Sequence, residues 1–274
     1  MWRSRSPYPS ALDGRADVLS RVARTGVALI LLLVTCGLPA AGQTARAPDE
    51  IETDSDPTRP VFLSLRPEFY NADRQHRQLL IARYDTAFWR RLIMRLEVPV
   101  VRTDDGQRAT SGLGDAYGQF LLVPYASGRF AVVVGNGFIL PTAVDSRLGG
   151  GNWVLAPVTA PLWRYSRGLA YVKVQNFTSV GGDDGRPPVN YLLVTPTFIR
   201  AVGRSWWVLA DAETKTNWRE DGQTGVKTGV QLGRRIATGV GLWAKPEVWL
   251  GRHREGTWNL KVGVVWYQRR AARP

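Results

Sequence analysis

Cysteine and histidine are nearly missing from this 274-residue chain, which has one Cys and two His. That count excludes a disulfide scaffold. A histidine-built metal centre or catalytic triad would have to draw on His76 and His253 alone. Long apolar runs are lacking too. Gly26 to Leu38 is the one nearly continuous apolar segment, and it falls short of the ~20 residues a helix needs to cross a bilayer, which excludes a polytopic helical membrane protein. With 44% apolar and 22% charged residues the composition is equally unlike disorder or collagen. The mean hydropathy of −0.18 does not exclude a β-barrel, whose strands alternate lipid-facing and lumen-facing residues so that the average cancels.

The amino-terminal residues read as an export signal. Arg15, Arg21 and Arg24 precede the apolar run Val27 to Val34, and small residues at Ala40 and Gly42 place cleavage near Gly42. The competing readings are a single membrane anchor, and a lipoprotein site at Cys36 that has Thr35 where Gly or Ala is expected. Residues 1–42 are therefore expected to be a signal peptide, leaving a mature chain without cysteine. Residues 43–60 carry Asp49, Glu50, Glu52, Asp54 and Asp56 against Arg46 and Arg59, with little apolar content. They are expected to form an acidic, disordered periplasmic leader, which its charge would draw back into the basic body of the protein. From Val61 onward 29 basic residues stand against 16 acidic ones. Such an excess suggests nucleic acid in other settings, but an exported chain with no basic run and no nucleic-acid module points to lipopolysaccharide or to an anion-attracting lumen.

From Val61 the pattern has period two, broken by Gly, Asp, Asn and Pro clusters. It predicts twelve strands: about 61–69, 77–86, 88–101, 114–124, 129–140, 152–164, 167–180, 189–202, 204–218, 223–234, 238–250 and 256–268. In the ninth, Trp206, Val208, Ala210, Ala212, Thr214, Thr216 and Trp218 form one face, and Asp211, Glu213 and Lys215 lie on the other. A tilted strand of that length spans about 30 Å, the spacing of the two aromatic girdles of a membrane barrel. The last strand repeats the pattern from Trp258 to Trp266. Connections after odd strands are mostly long, Asn71 to His76 and Pro141 to Gly151 among them, and those after even strands are short, as outer-membrane barrels require. The expectation is an all-β, antiparallel, up-and-down transmembrane barrel over 61–268, followed by a basic tail, 269–274, and set in outer-membrane lipid.

The polar face of that barrel puts Arg91, Arg95, Glu97, Lys173, Asp211, Glu213, Lys215, Lys227, Lys245, Glu247 and Lys261 in the lumen. They are either a salt-bridged polar core or the lining of a pore whose basic excess favours anions. Gly112, Gly114 and the glycines 149–151 read as turn residues, Asp115 as the partner of a lumen arginine, and Asp183 and Asp184 as solvated loop carboxylates or a weak cation site. No cofactor or resident metal is indicated.

Several of these residues also recur in a recognisable order. Ser111-Gly-Leu-Gly-Asp115, Gly135-Asn-Gly-Phe-Ile-Leu-Pro-Thr142, Leu148-Gly-Gly-Gly-Asn-Trp153, Ser179 to Arg186 with Val189-Asn190, and the stretch from Trp206 through Trp218 resemble the meta-pathway phenol-degradation family of outer-membrane proteins, often described as transporters. The resemblance covers roughly Val61 to Gln268. It implies an outer-membrane barrel that transports small solutes, aromatic ones among them, and brings no catalytic residues. Such barrels end on an aromatic residue read by the barrel-assembly machinery, whereas here Tyr267 is followed by Gln268 and the basic tail. The expected function is a channel or transporter for small aromatic or anionic solutes and not an enzyme. A non-conducting surface scaffold and an outer-membrane lipid hydrolase are the alternatives, the latter because His76 and His253 fall in loops predicted to adjoin at one rim.

Overall fold

The computed structural model describes residues 53–72, 75–88, 92–106 and 108–267, and every regular element among them is a strand. In chain order these are β1 Val61–Ala72, β2 Gln75–Phe88, β3 Leu92–Asp104, β4 Ala109–Leu113, β5 Ala116–Ser127, β6 Phe130–Leu140, β7 Asn152–Tyr165, β8 Gly168–Gly182, β9 Asn190–Val202, β10 Trp206–Asn217, β11 Gln223–Ala237, β12 Val240–Leu250 and β13 Trp258–Tyr267. The short β4 and the longer β5 both pair with β3, through Val100↔Leu113 and Glu97↔Tyr117 respectively. They are one stave broken at Gly114 and Asp115, so the ring has twelve staves. It closes where β13 pairs antiparallel with β1, with Leu65 opposite Val264.

The closed ring follows from the pattern of the chain. In β7 burial alternates residue by residue: Asn152, Val154, Ala156, Val158, Ala160 and Leu162 are buried, and Trp153, Leu155, Pro157, Thr159, Pro161 and Trp163 are exposed. The exposed row points away from the bore and is almost wholly apolar. Comparable rows run around the ring, so a continuous band of Leu, Val, Phe and Trp faces outward, which a water-soluble domain could not tolerate. Trp206, Trp218 and Trp258 lie on this face at 40%, 51% and 44% exposure, and Trp266 is on the same row of β13 as Trp258. Trp153 and Trp163 form a further pair at the two ends of β7, which the sequence reading did not single out. Pro157 and Pro161 have no N–H to give, and the β7–β8 ladder skips their positions.

Long connections gather at one end, with 141–151, 183–189 and 251–257 the longest. At the other end the turns are short, including 128–129, 166–167 and 238–239. The expected long connection from Asn71 to His76 is corrected: Asn71 pairs with His76 and Ala72 with Gln75, so β1 and β2 run on to residues 73–74. The fourth strand likewise starts earlier than expected, at Ala109. The expected signal peptide 1–42, residues 43–52 of the expected leader, Arg91 and the expected tail 269–274 lie outside the described residues.

At the short-turn end, inward side chains fill the bore. Val61, Leu162, Leu169, Ile199, Trp207, Leu209, Trp243 and Val265 are each less than 8% exposed and form one apolar cluster. Trp243 lies flat over Gly263 in the facing strand, where a Cβ would stand 2.2 Å from the indole ring. Gly263→Val is therefore expected to displace Trp243 and cost about 1–3 kcal/mol. The readout is a lower urea midpoint for the loss of the heat-modifiable band of the lipid-inserted protein.

Candidate functional site: the barrel lumen

The lumen above that apolar floor encloses a cavity of about 820 Å³. Its wall has two unlike halves. One arc, running from β10 through β13 and β1 to β3, is densely charged and internally paired. Lys245 reaches Asp211 at 2.5 Å and Glu247 at 2.8 Å, and Lys261 reaches Glu247 at 3.0 Å. Lys227 meets Glu213 at 2.9 Å. On the β1–β3 side Arg83 and Arg95 share Asp85 at 2.6 and 3.2 Å, and Arg66 bridges Glu68 and Glu97 at 2.6 and 3.3 Å. Charges this far from bulk water are stable only when paired in this way. Even so, nine basic side chains line the cavity against six acidic ones.

The other arc, β5 to β9, is apolar and aromatic. Leu121, Val133, Val154, Val158, Phe177 and Leu193 line it, and the rings of Phe177 and Tyr191 stack at 4.8 Å. Lys173 is the one charged side chain that these five strands contribute to the lining, among the described residues.

The floor is reinforced by residues 53–60, which the sequence reading assigned to a disordered leader. The correction has an electrostatic cause. Asp56, 1% exposed, accepts from Arg164 Nη1 at 3.1 Å and from the Thr58 backbone N–H at 2.9 Å. The Asp54 carboxylate accepts from Trp243 Nε1 at 3.0 Å and its carbonyl from Arg83 at 3.1 Å, and the Tyr171 hydroxyl donates to the Ser55 carbonyl at 2.9 Å. The segment is thus tied to four staves, β2, β7, β8 and β12, and lies across the bore.

The mouth is narrowed by the connection 141–151, which folds inward so that Leu148 is 1% exposed. Asp115, expected to pair with a lumen arginine, instead accepts the backbone N–H groups of Gly150 at 2.6 Å and Ala143 at 3.1 Å. Arg77 donates to the Leu148 carbonyl at 3.1 Å. Gly112 leaves the space that the Val144 and Leu148 side chains occupy, and Gly114 lies close against Val101 and the Leu148 carbonyl. The glycine and aspartate motifs at 111–115 and 148–153 are therefore two halves of one loop anchor. In the loop, hydrogen bonds from Arg147 hold the Asp145 carboxyl down to about 2. Asp183 and Asp184 sit exposed in the next connection, where the Asp183 N–H donates to the Gly151 carbonyl.

Of the remaining expected lumen residues, Lys215 lies at the rim, paired with Glu255 and 4.2 Å over the Tyr191 ring. His76 is an exposed residue of β2 opposite Asp104, and His253 is exposed in the β12–β13 connection. Arg66, Arg77, Arg83 and Asp85 were missed. In β2 both alternating faces mix polar and apolar residues, and a register shift between Val61 and Leu63 changes the phase of β1, so period two alone could not assign them.

No family model matches this chain, and no curated protein matches it. Among solved structures it is similar to the KdgM porin in complex with disordered oligogalacturonate, with a TM-score of 0.55 at 8% identity over 75% of this chain and 99% of that one. It is also similar to the NanC porin, with a TM-score of 0.56 at 7% identity over 75% and 100% of the two chains. With its closed twelve-stave ring, apolar exterior and charged lumen, the protein is a porin-like β-barrel of the bacterial outer membrane.

Asp115→Ala should free the β6–β7 loop, because two backbone N–H groups lose charge-assisted bonds worth roughly 1.5–3 kcal/mol each. Trypsin added outside intact cells is expected to cut at Arg147 in the variant and to spare the wild type.

Proposed function

We propose that this barrel is an outer-membrane channel for small anionic solutes, aromatic ones among them. The observation that carries the reading is the net positive lining of a closed lumen. Positive walls of low dielectric attract anions and repel cations before any contact is made. The fold is shared with porins, one of them in complex with oligogalacturonate, an anionic chain, which supports the same direction of selectivity. The order of the sequence motifs resembles a family described as transporters, which adds aromatic solutes to the candidates.

Flow must pass a loop at the mouth, a strap across the floor and the apolar cluster of ring side chains at the short-turn end. Residues 53–60 place two carboxylates against Arg83, Arg164 and Trp243, where an incoming anion would otherwise find its last cations. In planar bilayers the mature protein is expected to give discrete steps with a reversal potential on the anion-selective side. Shortening it by residues 43–60 should raise unit conductance several-fold while preserving that preference. A barrel that inserts, shows heat-modifiability and stays silent in both forms would replace the channel by a non-conducting scaffold.

Exchanging Lys245 and Lys261 together for Gln should move the reversal potential toward cations, most strongly at low salt, where screening is weakest.

A further inference from the structure

The β5–β9 wall has one charge, and Glu213 on β10, the carboxylate that acts on it most strongly, is already ion-paired with Lys227. Lys173 projects from the middle of β8 into the cavity, and no carboxylate lies within ion-pair distance of it among the described residues. The other lumen lysines are paired: Lys227 with Glu213, Lys245 with Asp211 and Glu247, and Lys261 with Glu247. An ammonium with no carboxylate in ion-pair contact is expensive to keep on this wall. Beside it stands a second unsatisfied group. Thr195 lies directly opposite Lys173 in the β8–β9 ladder. Its hydroxyl is buried with no hydrogen-bond partner although the residue lines the cavity. An ammonium and a free hydroxyl side by side are complementary to one carboxylate.

What surrounds them is not suited to a polyhydroxylated solute. Two polar side chains on the same wall are already engaged: Gln175 Nε2 donates to the Tyr117 hydroxyl at 2.9 Å and to the Ala156 carbonyl at 3.2 Å, and Gln119 accepts from Arg95 at 3.3 Å. The surface around them includes Leu121, Val158, Phe177 and Leu193, with the stacked Phe177–Tyr191 pair providing a flat aromatic face.

We propose that Lys173 and Thr195 form the head-group site for an amphipathic anion, an alkyl or aryl carboxylate whose apolar body lies along the β5–β9 wall. The site would select within the flow of anions, so the inference rests on the channel reading for its route of entry and adds the chemical class of the solute.

Benzoate block of the current in planar bilayers tests it, with acetate as a head without a body and benzamide as a body without a charge. Benzoate is expected to block at the lowest concentration of the three. Lys173→Met should raise its half-blocking concentration by about tenfold or more, the scale of one charge-assisted hydrogen bond, Lys173→Arg should restore it, and Thr195→Val should weaken it by a smaller factor. All variants are first checked for heat-modifiability. A conducting barrel in which acetate matches benzoate, or in which Lys173→Met leaves the block unchanged, overturns the site and leaves the channel standing. A barrel that carries no current overturns the channel, and calorimetric titration of benzoate into the nanodisc-embedded protein then decides the site: saturable heat lost in Lys173→Met sustains it, and absence of saturable heat in the wild type refutes it.

Discussion

Closure of the sheet between β1 and β13 is the constraint on which the rest of this molecule depends. In the hydrocarbon layer no water is available to an open strand edge, and each unpaired N–H or C=O costs several kcal/mol. The ladder from Asn71↔Trp258 to Val61↔Tyr267 removes both edges at once. Once the ring is closed, every strand has an inside and an outside, and the period-two alternation of the chain becomes a sorting of chemistry. The outer rows must be apolar because lipid is there. The inner rows are released from that demand, and this release allows charges to accumulate in the lumen.

Accumulated charge brings a second demand, since the inner wall is too far from bulk water to leave ions alone. The chain meets it mostly by pairing across neighbouring strands. Lys245, Asp211, Glu247 and Lys261 come from β10, β12 and β13 and form one connected set, and Arg83, Asp85 and Arg95 do the same between β2 and β3. Buried sets of this kind add little net stability compared with well-packed apolar residues, but they penalise any register in which the partners separate. Their effect is to hold the wall rigid on one side. The opposite side, β5 to β9, is held by ordinary apolar packing and keeps its surface free for contact with a solute.

Most of the ring was legible in the sequence because the lipid face writes a simple rule. The rows from Trp206 to Trp218 and from Trp258 to Trp266 needed only alternation and strand length to be placed. Legibility failed where a non-strand segment or an irregular register intervened. Asp115 sits in a break between β4 and β5, and its partners, Gly150 and Ala143, lie some thirty residues away in a loop; no periodicity encodes that bond. Asp54 and Asp56 read as part of a disordered acidic leader drawn to the barrel by net charge, with no partners assigned. Their burial depends on Arg83, Arg164 and Trp243, which come together only after the ring has closed. Arg83 and Asp85 were obscured because β2 carries polar residues on both faces.

The division of labour that results is physical. Strand pairing sets the diameter, which cannot change without breaking the ring, and the inward side chains set the sign of the lumen. Chain outside the ring narrows both ends: the 141–151 loop pinned by Asp115 at the mouth, and residues 53–60 held against the apolar cluster at the floor. Both are attached through a small number of charge-assisted hydrogen bonds instead of a continuous ladder. Bonds of that kind can be exchanged for equivalent ones with an entering anion at little net cost. The strap offers the lumen a carboxylate of its own, and a solute bearing the same group competes for the same donors. On the proposed reading, carboxylate recognition is built into the resting arrangement of the lumen, and the positions the strap leaves unused are those where an external carboxylate gains most.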